Sequence, residues 1–217
     1  MPERSFSRQW NLVVVAGDFN PLIHHPHWYH EIGAITDEET AAALGNQNTG
    51  STPVASLITF GSPVIAVQCL PNQWSVRSPD ESSWPKMLRL TSLVFDQKNG
   101  LSLTTYAFAF QRHIDTEAGD VKAVFGEYIA GLGLGFPAGE TTGGNISSGI
   151  AKGNLKISCS IQNSVLGGCV VFGLYRHQYE EQNVSAIFDG RFDQFSSQGQ
   201  QFFSDIVGSI NRLATKR

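Results

Sequence analysis

Apolar and polar positions run through one order twice along the chain. In the first half, apolar or alternating runs at Leu12 to Phe19, Val54 to Phe60, Val64 to Leu70 and Trp74 to Ser78 precede a helical pattern from about Trp84 to Lys98. The second half repeats this with Leu101 to Gln111, Leu155 to Gln162, Cys169 to Tyr175 and Val184 to Phe192, followed by a helical pattern from Gln198 to about Leu213. The spacing predicts an α+β protein of two similar halves, 1–100 and 101–217, forming one compact unit. Each half is expected to be a mainly antiparallel sheet of about four strands with a long helix packed on one face.

Local signals sharpen several elements. Leu12 to Ala16 is a β-branched run bounded by Gly17, which predicts a central strand buried on both faces. Pro26 suits the first turn of a short helix through Trp28, Tyr29 and Ile32, because its missing N–H is not needed there. Thr36 with Glu39 three residues on predicts a capping box for a helix to Leu44. Gly61-Ser62-Pro63 separates two runs closely enough for a hairpin. Ser82 or Ser83 is the expected cap of the next helix, with Trp84, Leu88, Thr91 and Phe95 on one face and Met87, Leu90 and Val94 widening it. Val121 to Ile129 reads as a short helix and Ala138 to Gly153 as a mobile loop. A turn near Leu166 would set Cys159 opposite residue 172 or 173, so Cys159 and Cys169 do not face each other.

Composition narrows the class. A hydrophobic fraction of 41% is enough for a core, and 16% charged residues with 22 glycines favours sheet and turns over a solvated bundle. The net charge of -4 gives no electrostatic reason to expect nucleic acid. Three cysteines, Cys69, Cys159 and Cys169, without CxxC spacing fit a reducing cytoplasm better than a disulfide framework or a zinc knuckle. The polar start and the short Leu12 to Ala16 run suggest neither a signal peptide nor a membrane span. A soluble cytoplasmic protein is expected.

Chemistry is sparse. His24-His25-Pro26-His27-Trp28-Tyr29-His30 holds four of the six histidines. With Pro26 opening a helix, His27 and His30 share a face and could offer two imidazoles to zinc, with Asp18 or Glu31 as a third ligand. No HExxH-type spacing completes such a set, and the ordinary reading is a packed aromatic and polar turn. Arg112, His113 and Asp115 end the long strand where open sheets often bind ligands; the alternative is a local ion pair or cap. Arg176, His177 and Glu180 repeat that composition, where a solvated edge is the ordinary reading. Gly131 to Gly135 is glycine-rich but lacks GxxxxGK[ST], and no GxSxG elbow is present. Trp10, Trp28, Trp74 and Trp84 with fourteen Phe read first as core, with a cavity or subunit interface as the alternative.

Asn20-Pro21 through Pro26-His27-Trp28-Tyr29, Trp74-Ser75-Val76 with Asp80, Leu90 and Phe95, and Tyr106 to Asp115 (YAFAFQRHID) resemble a group of poorly characterised bacterial proteins. The likeness covers about the first 120 residues. It implies a bacterial, soluble α+β protein and carries over no reaction and no catalytic residue.

The function expected from these signals is a non-enzymatic binding or assembly subunit, self-associating or joined to a protein partner, with no cofactor. His27, Trp28, His30, Arg112, His113 and Asp115 are the candidate contact residues, and His27 and His30 the weak metal candidates. The alternatives are small-ligand binding in a cavity between helix and sheet, or a metal-dependent hydrolase using His24 to His30.

Overall fold

The computed structural model describes residues 5–17, 19–96, 103–115, 145–152, 155–163 and 169–179. The expected elements at Val121 to Ile129, Val184 to Phe192 and Gln198 to Leu213, and the glycines from Gly131 to Gly135, lie outside the described residues.

The chain starts with β1 (Ser5–Ala16). Helices α1 (Pro26–Glu31) and α2 (Asp37–Gly45) follow. The two-residue β2 (Gly50–Ser51) then leads to β3 (Ser56–Phe60), β4 (Ile65–Leu70) and β5 (Gln73–Ser78). A 3-10 turn, Glu81–Ser83, opens α3 (Trp84–Asp96). Next come β6 (Leu103–Asp115), β7 (Asn145–Lys152), β8 (Leu155–Asn163) and β9 (Cys169–Tyr179). All these strands join one sheet in the order β2-β3-β4-β5-β1-β6-β9-β8-β7, with every pairing antiparallel. An antiparallel sheet with helices is the α+β class the sequence predicts.

β1 is central, between β5 and β6, as expected, but it starts at Ser5 and is not buried equally on its two faces. Trp10, Leu12, Val14 and Ala16 are buried, whereas Val13 and Val15 are half-buried. The period of two sends alternate residues to opposite sides, and the described helices cover only one of them. On that covered side α3 sets Phe95 edge-on to Trp74 at 5.6 Å and Trp84 edge-on to Phe108 at 5.6 Å. Tyr29 of α1 reaches the same side through Trp74. One core cluster contains these residues together with Ile58, Ile65, Val67, Met87, Leu90 and Val94.

The helix ends follow local chemistry. Thr36 Oγ1 accepts from the Glu39 amide at 3.2 Å while Glu39 Oε2 accepts from the Thr36 amide at 3.1 Å, the reciprocal capping box the spacing predicts. The Glu39 carboxylate also meets Lys86, tying α2 to α3. The cap before α3 differs from expectation. Asp80 accepts from the Ser82 amide at 2.8 Å, while Ser83 is buried and bonds to Ser78 Oγ at 3.0 Å. A short 3-10 turn moves the cap upstream of both serines. In the β3–β4 hairpin Gly61 has φ +82, and a Cβ there would meet the Pro63 carbonyl at 3.2 Å, so glycine suits this turn.

Two expectations in the second half need correction. Asn145–Lys152 is not loop but strand β7, paired with β8 from Asn145↔Gln162 to Lys152↔Leu155. Its glycine and serines hide a strand from propensity, and the partner supplies the backbone hydrogen bonds that decide it. Cys159 pairs with Leu174, one or two residues beyond the expected position, because the β8–β9 register, from Leu155↔Gln178 to Asn163↔Val170, is centred about half a residue beyond Leu166. It does not face Cys169, which pairs with Asp115.

Among the described residues no helix is long and apolar enough to cross a membrane. Leu12 is fully buried at the sheet centre, so Leu12→Ala is expected to cost about 2–5 kcal/mol, against about 1 kcal/mol for Thr36→Ala at the cap. Urea unfolding of both variants measures the difference. Equal losses would contradict a core centred on β1.

Candidate functional site

The histidine-rich turn separates into four different jobs. His24 is fully buried, edge-on to Trp28 with ring centroids 4.9 Å apart, and its carbonyl accepts from Ser51 Oγ at 2.9 Å. His25 is the N-cap of α1: its Nδ1 accepts from the Trp28 amide at 3.2 Å, and Pro26 follows in the first turn. His27 is exposed. His30 Nε2 lies 2.9 Å from Asp37 Oδ1 at the surface, so its acidic neighbour comes from the start of α2 rather than from Glu31.

The geometric centre of this region is Tyr29. Its ring is fully buried, with the hydroxyl 2.8 Å from His24 Nδ1 and 3.0 Å from Trp74 Nε1. An indole N–H can only donate, so the tyrosine oxygen accepts from Trp74, and the imidazole tautomer sets which way the proton runs between Tyr29 and His24 Nδ1. Burial pushes the Tyr29 hydroxyl far above its usual value; the Trp74 hydrogen bond opposes that shift and nearby Cys69 adds to it. Tyr29 is therefore a neutral phenol joining three rings, suited to holding α1 on the sheet rather than to exchanging protons with a bound molecule.

Trp28 is half-buried beside this group, edge-on to Tyr29 with centroids 5.0 Å apart. His27 and His30 remain on the outer side of α1, where His25 and His27 have centroids 6.2 Å apart. Among the described residues, no group of three or more His, Cys, Asp or Glu is assembled to hold a metal ion.

Arg112, His113 and Asp115 fall at the other end of the molecule. Arg112 pairs with Arg8 and Phe172, His113 with Ser7 and Val171, and Asp115 with Cys169. Trp74, which carries the Tyr29 hydrogen bond, pairs instead with Val14. Six residues of β1 separate Arg8 from Val14, about 20 Å at strand rise. The backbone thus places the two candidate groups at opposite ends of the β1–β6 pair and does not join them into one centre.

Sequence reasoning missed His24 and Trp74 as partners. The nearest signal was the clustering of aromatic residues with histidine, but the third member comes from β5, 45 positions beyond Tyr29.

No protein-family model matches the chain, and no curated protein matches it.

Tyr29→Phe leaves two buried ring nitrogens without the shared hydroxyl, an expected loss of about 2–4 kcal/mol. The raised folded value also sets a pH dependence. Up to the ordinary tyrosine value of about 10 both states are neutral; above it the unfolded chain ionises first, so wild type loses stability as pH rises further. The variant lacks this contribution. Melting curves from pH 7 to 11 should show the wild-type advantage narrowing above about pH 10; a constant gap would contradict the assignment.

Proposed function

We propose that this chain is a non-enzymatic binding or assembly subunit of a bacterial oligomer or multiprotein complex, built from two similar halves, each an antiparallel sheet with a long helix on one face. The observation that carries the assembly reading is that the described helices cover one side of the sheet. The described helices lie on the Leu12 and Val14 side, while Val13, Val15, Leu57 and Leu70 are half-buried on the other with no described element over them. Arg77 is the one charged residue among the described side chains of β3, β4, β5, β1 and β6 on that side. A broad, weakly charged sheet face suits a protein partner better than a polyanion.

Strand order supports the two-half reading. Outward from the β1–β6 seam lie β5, β4, β3 and the two-residue β2 on one side and β9, β8 and β7 on the other. In both directions the chain begins at the seam, passes to the outer strand and returns inward. Asn145–Lys152 fills the outer place in the second half, so β6 to β9 make four strands there without Val184 to Phe192, beside β1, β3, β4, β5 and the two-residue β2 of the first half. Face parity agrees as well. Register puts Cys159 across from Leu174, and Leu174 across from Phe110, on the face that holds Phe108 and Leu12. Ile146, Ile150, Ile157 and Ile161 occupy that same face. In this reading the apolar stripe Phe202, Phe203, Ile206, Val207 and Ile210 covers it as α3 covers the first half.

Two measurements test these proposals. Maleimide labelling of the full chain, resolved by mass spectrometry, should find Cys159 protected in wild type and reactive in a Phe203→Asp, Ile206→Asp variant, with Cys69 still protected. Rapid Cys159 labelling in wild type would overturn the second-half cover. Light scattering at micromolar concentration, with co-purification from the native cell, should find either a multiple of the 23.6 kDa chain or a stoichiometric protein partner. A monomer without a partner would overturn assembly.

A further inference from the structure

The outer strands of the first half carry no charge. From Thr40 to Val76 the sequence has no Asp, Glu, Lys, Arg or His, and this stretch supplies β2, β3, β4 and most of β5. Among the described residues, β2 and β3 end the sheet on this side. The edge segment Ser56–Phe60 sets Leu57, Ile58 and Phe60 beside a β-branched threonine and contains no proline. An uncharged, apolar strand at a sheet edge is a template for another strand, and charged side chains are an ordinary means of blocking it. β2, β3 and β4 have none.

Hydroxyl groups stand in that place. The Thr59 amide donates to Thr49 Oγ1 at 3.3 Å, on the side of β3 away from β4. Alternate residues send their N–H groups to the same edge, so Leu57 and Ala55 share this side. Leu57 lies opposite Gly50 of β2. The Ala55 amide donates to Thr52 Oγ1 at 3.1 Å, and the same hydroxyl donates back to the Ala55 carbonyl at 2.9 Å, which also accepts from the Thr52 amide at 2.7 Å. Pro53 and Val54 are exposed at the turn between them, and Pro53 has no N–H to offer a passing strand. Positions 55, 57 and 59 are thus each taken by residues 49–52 of the same chain.

We propose that residues 49–55 form a strap that keeps the β3 edge from accepting a strand of a second copy, with the Thr49 and Thr52 hydroxyls as its clamps. The inference goes beyond the assembly reading and does not depend on it, since it says where the sheet does not grow. β2 alone is too short for the task, because it pairs only with Ser56 and Leu57. Without the two hydroxyls, the Ala55 and Thr59 amides need other acceptors. The edge carbonyls of another copy's Ser56–Phe60 segment supply them.

The test follows the mass of the full chain by light scattering over several days at micromolar concentration. Wild type should hold its starting mass, whatever multiple of 23.6 kDa that is. Thr49→Val with Thr52→Val removes both hydroxyls at nearly constant shape, and this variant should grow steadily and bind thioflavin. Thr49→Ser with Thr52→Ser keeps the hydroxyls and should hold the wild-type mass. Adding Val54→Lys to the valine pair puts a charge on the edge and should stop the growth. A wild type that grows, or a valine pair that does not, overturns the proposal, including the case where other residues of the chain cover this edge. A serine pair that grows like the valine pair, or a lysine that stops nothing, also overturns it, since the cause then lies in packing or at another surface. Should the valine pair lose its fold by near-ultraviolet circular dichroism, Thr49→Val alone decides. Its Thr59 amide should then exchange with deuterium about fivefold faster, as for one lost hydrogen bond, and unchanged exchange overturns the clamp.

Discussion

The structure depends on the alternation of side chains along β1. Because β5 and β6 hydrogen-bond to both of its edges, β1 cannot rotate to share its apolar residues between faces. Trp10, Leu12, Val14 and Ala16 must all point one way, and a one-residue slip would send them all to the other side. That constraint fixes the side on which α3 lays Met87, Leu90, Val94 and Phe95, and the side from which α1 delivers Tyr29. It also leaves Val13 and Val15 on a second face with different demands.

The polar groups inside the covered face follow from the same arrangement. A buried hydroxyl, indole or imidazole is costly unless it finds a partner. Tyr29 meets that cost for three residues at once, joining His24 to Trp74. Thr91 does so locally, donating to the Met87 carbonyl at 2.7 Å. The histidine cluster, which looks like chemistry as a string, is thereby divided: one ring is in the core, one caps a helix, and two lie at the surface. Its density reflects several structural needs meeting in one short turn.

Much of the first half was legible. The α3 stripe, the Thr36–Glu39 box, Pro26 at the helix start and the β3–β4 hairpin are all set by interactions within a few residues, so local spacing reveals them. Less was legible where the sequence is bland. β7 has glycine and serine through its middle, and only pairing with β8 makes it a strand. Asp80 displaced the expected serine caps because Ser83 is drawn inward to Ser78, a contact that depends on where β5 ends. Arg112, His113 and Asp115 stood out as a trio, yet no spacing rule could tell that register sets Arg112 about 20 Å along β1 from the level of Trp74.

By itself the sequence determined the class of the protein, most helix and strand positions in its first half, and the apolar stripe of α3. These follow from periodicity and capping, whose interactions span a turn or a pleat. Tertiary structure alone decided that β1 and β6 form the seam, that Tyr29 bridges His24 and Trp74, and that the two candidate groups lie at opposite ends of the sheet. Those outcomes depend on register between strands far apart in sequence. Each pairing is favoured by the buried area and hydrogen bonds of the whole sheet, which no local window contains.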